Sequence, residues 1–362
     1  AIATDFPHKG AMILQRSRPP LLETPFEVFA PGVFTPNDRF YVRWHWAVIP
    51  TEVDADKFRL AVRGHVNQVQ SLSLKDILAM PRVEMAAVNQ CSGNSRGFFQ
   101  PRVAGGEWAH GAMGNAKWTG VRLKDVIDRA GVKDGAVQVR FNGLDEPVVP
   151  DGPDFKKSLQ IDHARDGEVM IAYAMNGEQL PLLNGIPCRL VVPGYYSTYW
   201  IKMLDSIEVL PQADDDYWMA KAYRIPTAAG ANVAPGSKDF PTTPINRMIP
   251  RSWVTSLEEG QSVAFRPVLP VGGIAMGGDH GVTRVSVSAD GGHSWYAADL
   301  GPDHGKYSFR RWDARIPLPG PGPVNLMSRC WNSAGVAQPM RPIWNPGGYM
   351  RGNIETAHVR VG

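Results

Sequence analysis

A single thiol set in a loop of hydrogen-bond donors is the part of this chain best placed to do chemistry. Cys91 follows the apolar stretch Val83-Glu84-Met85-Ala86-Ala87-Val88 and precedes Ser92-Gly93-Asn94-Ser95-Arg96-Gly97. A strand that delivers one thiol into such a loop suits a reactive or metal-bound thiolate. Cys188 and Cys330 are distant in sequence and carry no CxxC or Cys/His spacing. Local cysteine motifs therefore build no zinc or iron–sulfur site. A metal on Cys91 must take most of its ligands from elsewhere, and an organic group is the natural source. Arg43, Arg96 and Arg189 are candidates for an oxyanion site, because a guanidinium donates two parallel hydrogen bonds. Taken alone, each of these arginines is more simply an ordinary ion pair. His45 alone reads as a hydrogen-bonded core histidine, and Trp44, Trp46 and Trp108 read as core. Tyr223 reads as a half-buried packing residue whose flanking cations, Lys221 and Arg224, favour its phenolate slightly. The run Asp214-Asp215-Asp216 reads as solvated surface.

The elements that must position these groups are mostly strands. Phe40–Ile49 reads as a strand with Arg43 and His45 on one face. Further strands are expected at 58–64, 136–142, 169–174, 188–192 and 206–210. Ser73 is expected to cap a helix through Leu74 to Met80, stopped by Pro81. A second helix is expected from Arg122 to Ala130, with Gly131 just beyond its end. Residues 1–35 read as an irregular arm broken by prolines. Pro226 to Pro244 lacks hydrophobic periodicity and reads as a linker. The chain beyond it reads as pure β: Val282–Ser288 alternates, Asp290-Gly291 marks a hairpin and His293–Tyr296 starts the return. Strands near 307–312 and 324–331 complete an expected immunoglobulin-like sandwich.

The 362 residues favour two domains. The net charge of +3 is too small to argue for nucleic acid. No apolar run approaches the roughly 20 residues needed to cross a bilayer. Gly 37 and Pro 31 are high and point to a turn-rich, β-rich architecture. Three cysteines do not make a disulfide framework. The start Ala1-Ile2-Ala3-Thr4 fits an exported protein after signal-peptide removal.

The joint order of several segments says more than any one of them. These are Arg43-x-His45, Cys91-x-Gly93-Asn94-x-Arg96, Lys117–Leu123, Tyr173–Pro181, Pro187–Gly194 and Trp200-Ile201-Lys202. In that order they resemble the sulfite oxidase family of molybdenum enzymes. Ser288–Trp295 and Pro342-Ile343-Trp344-Asn345 resemble the same family's dimerisation domain. The nearest likeness is to haem-free bacterial sulfite dehydrogenases of the periplasm. The resemblance implies an α+β fold: a molybdopterin domain over 1–225, a linker over 226–244 and an immunoglobulin-like sandwich over 245–362.

It also implies roles. Cys91 matches the molybdenum ligand, with a pyranopterin dithiolene supplying two more sulfurs. Arg43 and Arg96 match the arginines that hold the substrate oxyanion. Tyr223 matches the active-site tyrosine, and Trp108 a tryptophan of the anion pocket. Tyr41, Trp44, His45, Asp145, Asn184, Arg189, Trp200 and Lys202 resemble positions that hold the cofactor. There are departures. Leu183-Asn184-Gly185 stands where animal enzymes carry Asp-His-Gly. Pro346-Gly347-Gly348 stands where they carry an arginine, with Arg351 the nearest substitute. No cytochrome b5 segment precedes the molybdenum motifs, so no haem is expected in this chain. The implied function is a periplasmic, homodimeric sulfite dehydrogenase that passes electrons to a separate c-type cytochrome, with no nucleic acid and no membrane span. The rivals are another oxotransferase on this scaffold, such as a nitrate or sulfoxide reductase, and a non-catalytic binding protein.

Overall fold

The computed structural model describes residues 6–362, together with the backbone of Ile2–Ala3. The protein is mostly β, with few helices. The first part of the chain forms three sheets. In one, Ile2–Ala3, Met12–Arg16, Leu21–Glu23 and Val42–Arg43 lie side by side. A second runs in the order Lys157–Gln160, Gln138–Gly143, Leu204–Leu210, Arg59–Gly64, Gln70–Ser73. Its Leu204–Leu210 and Arg59–Gly64 strands are parallel, and its other pairs are antiparallel. The third pairs Glu178–Gln179, Met170–Met175, Met113–Arg122 and Val83–Gln90 in that order, with Arg189–Val191 also on Met170–Met175.

The third sheet explains how Cys91 reaches the interior. Val83–Gln90 pairs antiparallel with Met113–Arg122, from Val83 opposite Gly120 to Gln90 opposite Met113. It is half-exposed at its start and fully buried over its last residues. The backbones crowd where Met170–Met175 joins: a Cβ on Gly120 would lie 1.9 Å from the Ile171 carbonyl oxygen. Only glycine fits there. Two helices support the sheets. Leu74–Leu78 begins with a capping box between Ser73 and Asp76. Leu123–Ala130 buries Leu123, Val126, Ile127 and Ala130 and ends at Gly131, whose φ is 71°.

The last part of the chain packs two sheets around a core of their own. One is Arg251–Val254, Val268–Met276, Arg310–Pro317 and Asp299–Leu300. The other is Ser262–Val263, Thr356–Val361, Gly322–Asn332, Val282–Ser288 and Tyr296–Ala297. Val271, Trp312 and Ile316 from the first meet Val285, Leu326 and Val359 from the second. This core is separate from the large one around Trp118, Trp200 and Phe141. Between the two parts, Arg224–Pro226 pairs antiparallel with Thr242–Pro244.

Several expectations need correcting. Of Phe40–Ile49, only Val42–Arg43 is strand. Tertiary contacts of the tryptophans take over beyond it: Trp44 donates to the Leu183 carbonyl and Trp46 to the Pro153 carbonyl, at 3.1 Å each. The arm of residues 1–35 is not irregular throughout, because Met12–Arg16 and Leu21–Glu23 are strands that pair with the Arg43 strand; residues 1, 4 and 5 lie outside the described ones. The turn at Asp290-Gly291 is wider than a two-residue hairpin. The Asp290 carboxylate accepts amides from His293 and Ser294, which delays the return strand to Tyr296. The run 214–216 is not simply solvated. The Asp214 side chain is buried, pairs with Arg140 at 2.7 Å and accepts from Ser158, and Asp216 caps Tyr217–Ala220.

Candidate active site

The sheets converge on a narrow inner cleft that opens into a wider chamber. The residues that the resemblance assigns to metal, substrate and cofactor line one or the other. Tyr41, Trp44, His45, Asp145, Asn184, Arg189, Trp200 and Lys202 line the cleft. Arg96 and Trp108 line the chamber. Arg43, Cys91 and Tyr223 line both, so the thiol stands where the two meet.

Cys91 is nearly buried, with 6% of its surface exposed. Its amide donates to the Ala112 carbonyl at 2.9 Å, and the Asn94 amide closes a turn back onto its own carbonyl. Among the described residues no three His, Cys, Asp or Glu side chains cluster to hold a metal ion. Cys91 thus has no protein co-ligand here. Ser95, left-handed at φ 66°, turns the loop so that Arg96 reaches the chamber. Arg96 donates through Nε to the Gly347 carbonyl at 3.2 Å and lies 5.2 Å over the Tyr349 ring. The second domain fixes this loop: buried Arg251 donates to Gln90 and Ser95 at 3.1 and 2.9 Å and pairs with Glu355.

Tyr223 is the hub of the opposite side. Its φ of 52° is unusual for a non-glycine residue, the kind of strain that gathers at functional sites. Its hydroxyl accepts from Arg43 Nη2 at 3.3 Å and lies 2.5 Å from His45 Nε2. Burial raises the pKa of Tyr223, so the phenol keeps its proton, contrary to the slight phenolate preference expected from the flanking cations. Burial, helped by Arg43, Lys202 and Lys157, pushes His45 well below its usual value and keeps it neutral. The arrangement therefore assigns a phenol O–H donating to a neutral imidazole.

Three cations face the cleft: Arg43, Arg189 and Lys202. Lys202 donates to the Arg43 carbonyl at 2.7 Å and lies 4.4 Å over the Trp44 ring. Burial pushes it down to about 7. Arg189, lowered to about 10 by burial, donates to the Asn184 and Trp200 carbonyls and packs on the Trp118 and Trp200 rings. Among the described residues, the one carboxylate lining the cleft is Asp145, raised to about 6 by burial.

The molybdopterin implied by the resemblance can be tested against these residues. Buried cations without matching anions are costly. Four buried polar atoms on the cleft wall also lack partners: Arg189 Nε, Asn89 Nδ2, Asn184 Oδ1 and Thr198 Oγ1. Such a set of cations, free donors and a free acceptor fits a polar ring system carrying a phosphate. The free volume of the cleft is about 30 Å³, so its walls must move apart to admit the group. Arg189, Lys202 and Arg43 would take the phosphate and pterin, and Cys91 the metal.

Sequence reasoning missed Asn89, Ser92, Phe155, Ser197 and Thr198 in the cleft and Arg16, Trp218, Gly347 and Tyr349 in the chamber. Ser197 and Thr198 lie one residue, Tyr199, ahead of the Trp200 segment, a signal that was there to use. Arg351 does not replace the missing arginine. It pairs with Glu355 at 2.8 Å and donates to the Phe98 carbonyl, and it is not part of the chamber wall.

Both parts of the chain match known protein families. Residues 46–218 match the oxidoreductase molybdopterin binding domain, and residues 242–361 match the Mo-co oxidoreductase dimerisation domain. The chain is 33% identical to the human mitochondrial sulfite oxidase over 97% of its own length and 66% of that protein's, so it spans just under two thirds of that relative. It is 30% identical to the sulfite oxidase of Arabidopsis thaliana, over 98% of this chain and 94% of that one. A barley nitrate reductase (Hordeum vulgare) is 30% identical over 92% of this chain and 39% of its own. The crystal structure of the sulfane dehydrogenase SoxCD from Paracoccus pantotrophus superposes with a TM-score of 0.78 at 25% identity, covering 94% of this chain and 84% of that one. The chain belongs to the sulfite oxidase family of molybdenum oxidoreductases.

Proposed function

We propose that this protein is a sulfite dehydrogenase that oxidises sulfite to sulfate and hands electrons singly to an external c-type cytochrome. The observation that carries this reading is the meeting of Cys91, Arg43 and Tyr223 where cleft and chamber join, with Arg96 on the chamber wall. A molybdenum–pterin group, when bound, supplies oxygen-atom transfer coupled to two-electron uptake. The chain's own residues do the rest. Arg43 and Arg96 bind the sulfur oxyanion and hold it near Cys91, an electrostatic and positioning role. Trp108 and Trp218 limit water around it. Tyr223 holds a proton between Arg43 and neutral His45, which makes the pair a place to keep or accept a proton as charge leaves the site.

The description of residues 242–361 as a dimerisation domain supports a homodimer formed through that part, and its two packed sheets support the immunoglobulin-like reading. Among the described residues no helix is long and apolar enough to cross a membrane.

The test is an anaerobic visible spectrum before and after sulfite. A thiolate-to-molybdenum band that bleaches with sulfite supports both the Cys91 ligand and the substrate. A band that persists with sulfite but reappears with nitrate after chemical reduction favours the oxotransferase alternative, which the barley relative makes specific. Reduction of added cytochrome c by sulfite tests the acceptor.

A further inference from the structure

The chamber outside Cys91 is larger and more aromatic than a small inorganic oxyanion requires. Its free volume is about 350 Å³. A water takes about 30 Å³ of liquid, so a four-atom anion needs only about two waters' worth. Sites of about 300 Å³ and above usually hold small organic molecules. Tyr223 joins Trp218 and Tyr349 in one aromatic run, with ring centroids 6.0 and 5.6 Å apart, and Trp108 adds a further face. Removing apolar surface from water gains free energy, and inorganic sulfite has no such surface to offer.

The charges are arranged to match. Arg43 and Arg96 are the cations beside Cys91, and exposed Arg16 is the other cation of the chamber wall. Arg96 is held at the wall by the Gly347 carbonyl and the face of Tyr349. Arg351 is turned to Glu355. Among the described residues, the lining contains no carboxylate to repel an anion. The site therefore offers two guanidinium groups for two oxygens and aromatic rings for whatever else the sulfur carries.

We propose that the chamber accepts an organic sulfinate, R–SO2−, as a second substrate class. A sulfinate is sulfite with one oxygen replaced by carbon, and it keeps the sulfur lone pair. The step is R–SO2− + H2O → R–SO3− + 2 H+ + 2 e−. A sulfur–oxygen bond forms, the oxygen comes from water and sulfur is oxidised by two electrons. Those electrons leave one at a time to two equivalents of a one-electron acceptor. Arg43 and Arg96 hold the two oxygens, and the carbon group packs on Tyr349 and Trp218. The inference rests on the sulfite reading of the same site.

The holoenzyme is given benzenesulfinate anaerobically with ferricyanide as acceptor, and sulfite in a parallel reaction. Benzenesulfonate is expected, with two ferricyanide reduced per product and labelled oxygen taken up from water. Calorimetric titration with benzenesulfonate, which cannot react further, is expected to show binding that Tyr349→Ala weakens about tenfold. The same substitution lowers kcat/KM for benzenesulfinate more than for sulfite. Sulfite turnover without any benzenesulfonate overturns the inference and leaves the sulfite reading standing. If neither anion is oxidised, the sulfite reading fails, and the titration still decides: no heat with benzenesulfonate means the chamber does not hold this class.

Discussion

Arg251 donates to the hydroxyl of Ser95 at 2.9 Å, across the boundary between the two parts of the chain. Ser95 immediately precedes Arg96. Arg251 also donates to Gln90, which immediately precedes Cys91. One buried guanidinium from the second domain therefore grips both ends of the loop that carries the thiol and the oxyanion arginine.

Arg251→Met should break this grip. Removing one member of a buried, hydrogen-bonded charge network costs about 3–5 kcal/mol. Denaturant unfolding should show a loss on that scale. In the fraction that stays folded, KM for sulfite should rise, because the loop that carries Arg96 loses its anchor. Unchanged stability and KM would show the loop to be held without Arg251.

Arg43→Gln should raise KM for sulfite by about 10- to 100-fold. A hydrogen bond to a charged partner is worth about 1.5–3 kcal/mol, and each 1.36 kcal/mol is tenfold. Steady-state kinetics at fixed salt would read the change. An unchanged KM removes Arg43 from the anion site.

Cys91→Ser should abolish the sulfite-bleachable charge-transfer band and turnover together. Serine keeps the Ala112 contact, since that bond comes from the backbone amide. Folding should survive, with circular dichroism like the wild type. A variant with the band and activity intact would refute Cys91 as the ligand.

Lys202 makes the cofactor-free protein sensitive to pH. Burial lowers its pKa from 10.5 to about 7. Between those values the unfolded chain binds a proton that the folded protein does not, so stability rises with pH across that window. Below about 7 both states are protonated, and the folded protein bears the whole cost of the buried charge. A bound anion reverses this by favouring the ammonium. Lys202→Met should therefore flatten part of the rise in Tm between pH 7 and 10 in cofactor-free protein. It should also reduce molybdenum retained on purification, measured by metal analysis. A slope and a metal content both unchanged would place Lys202 outside the cofactor site.

Much of this site was legible in the sequence because its parts are local. Cys91 announces itself by the shift from an apolar run to a glycine-containing polar loop. Arg43, His45, Arg189 and Lys202 sit in segments whose order matches a known pattern. The helices at 74 and 123 followed from their caps. What stayed hidden depends on long-range packing. Trp218 follows an acidic run with nothing in the sequence to mark it, yet its indole donates to Pro153 and its ring packs on His45. Tyr349 lies more than a hundred residues from Tyr223 and stacks on it. Strand periodicity put Arg43 and His45 on one face. They do share a site, although the strand ends at Arg43 and the tryptophans' contacts set the backbone beyond.

Gly347 and Tyr349 belong to the segment matched as the second domain, yet they wall the chamber beside Cys91 of the first. Substrate preference is thus inherited through two modules at once. A chimera that joined this first domain to a relative's second domain would exchange part of the reaction chamber as well. Changes in the second domain can alter what the enzyme accepts, with no substitution in the first.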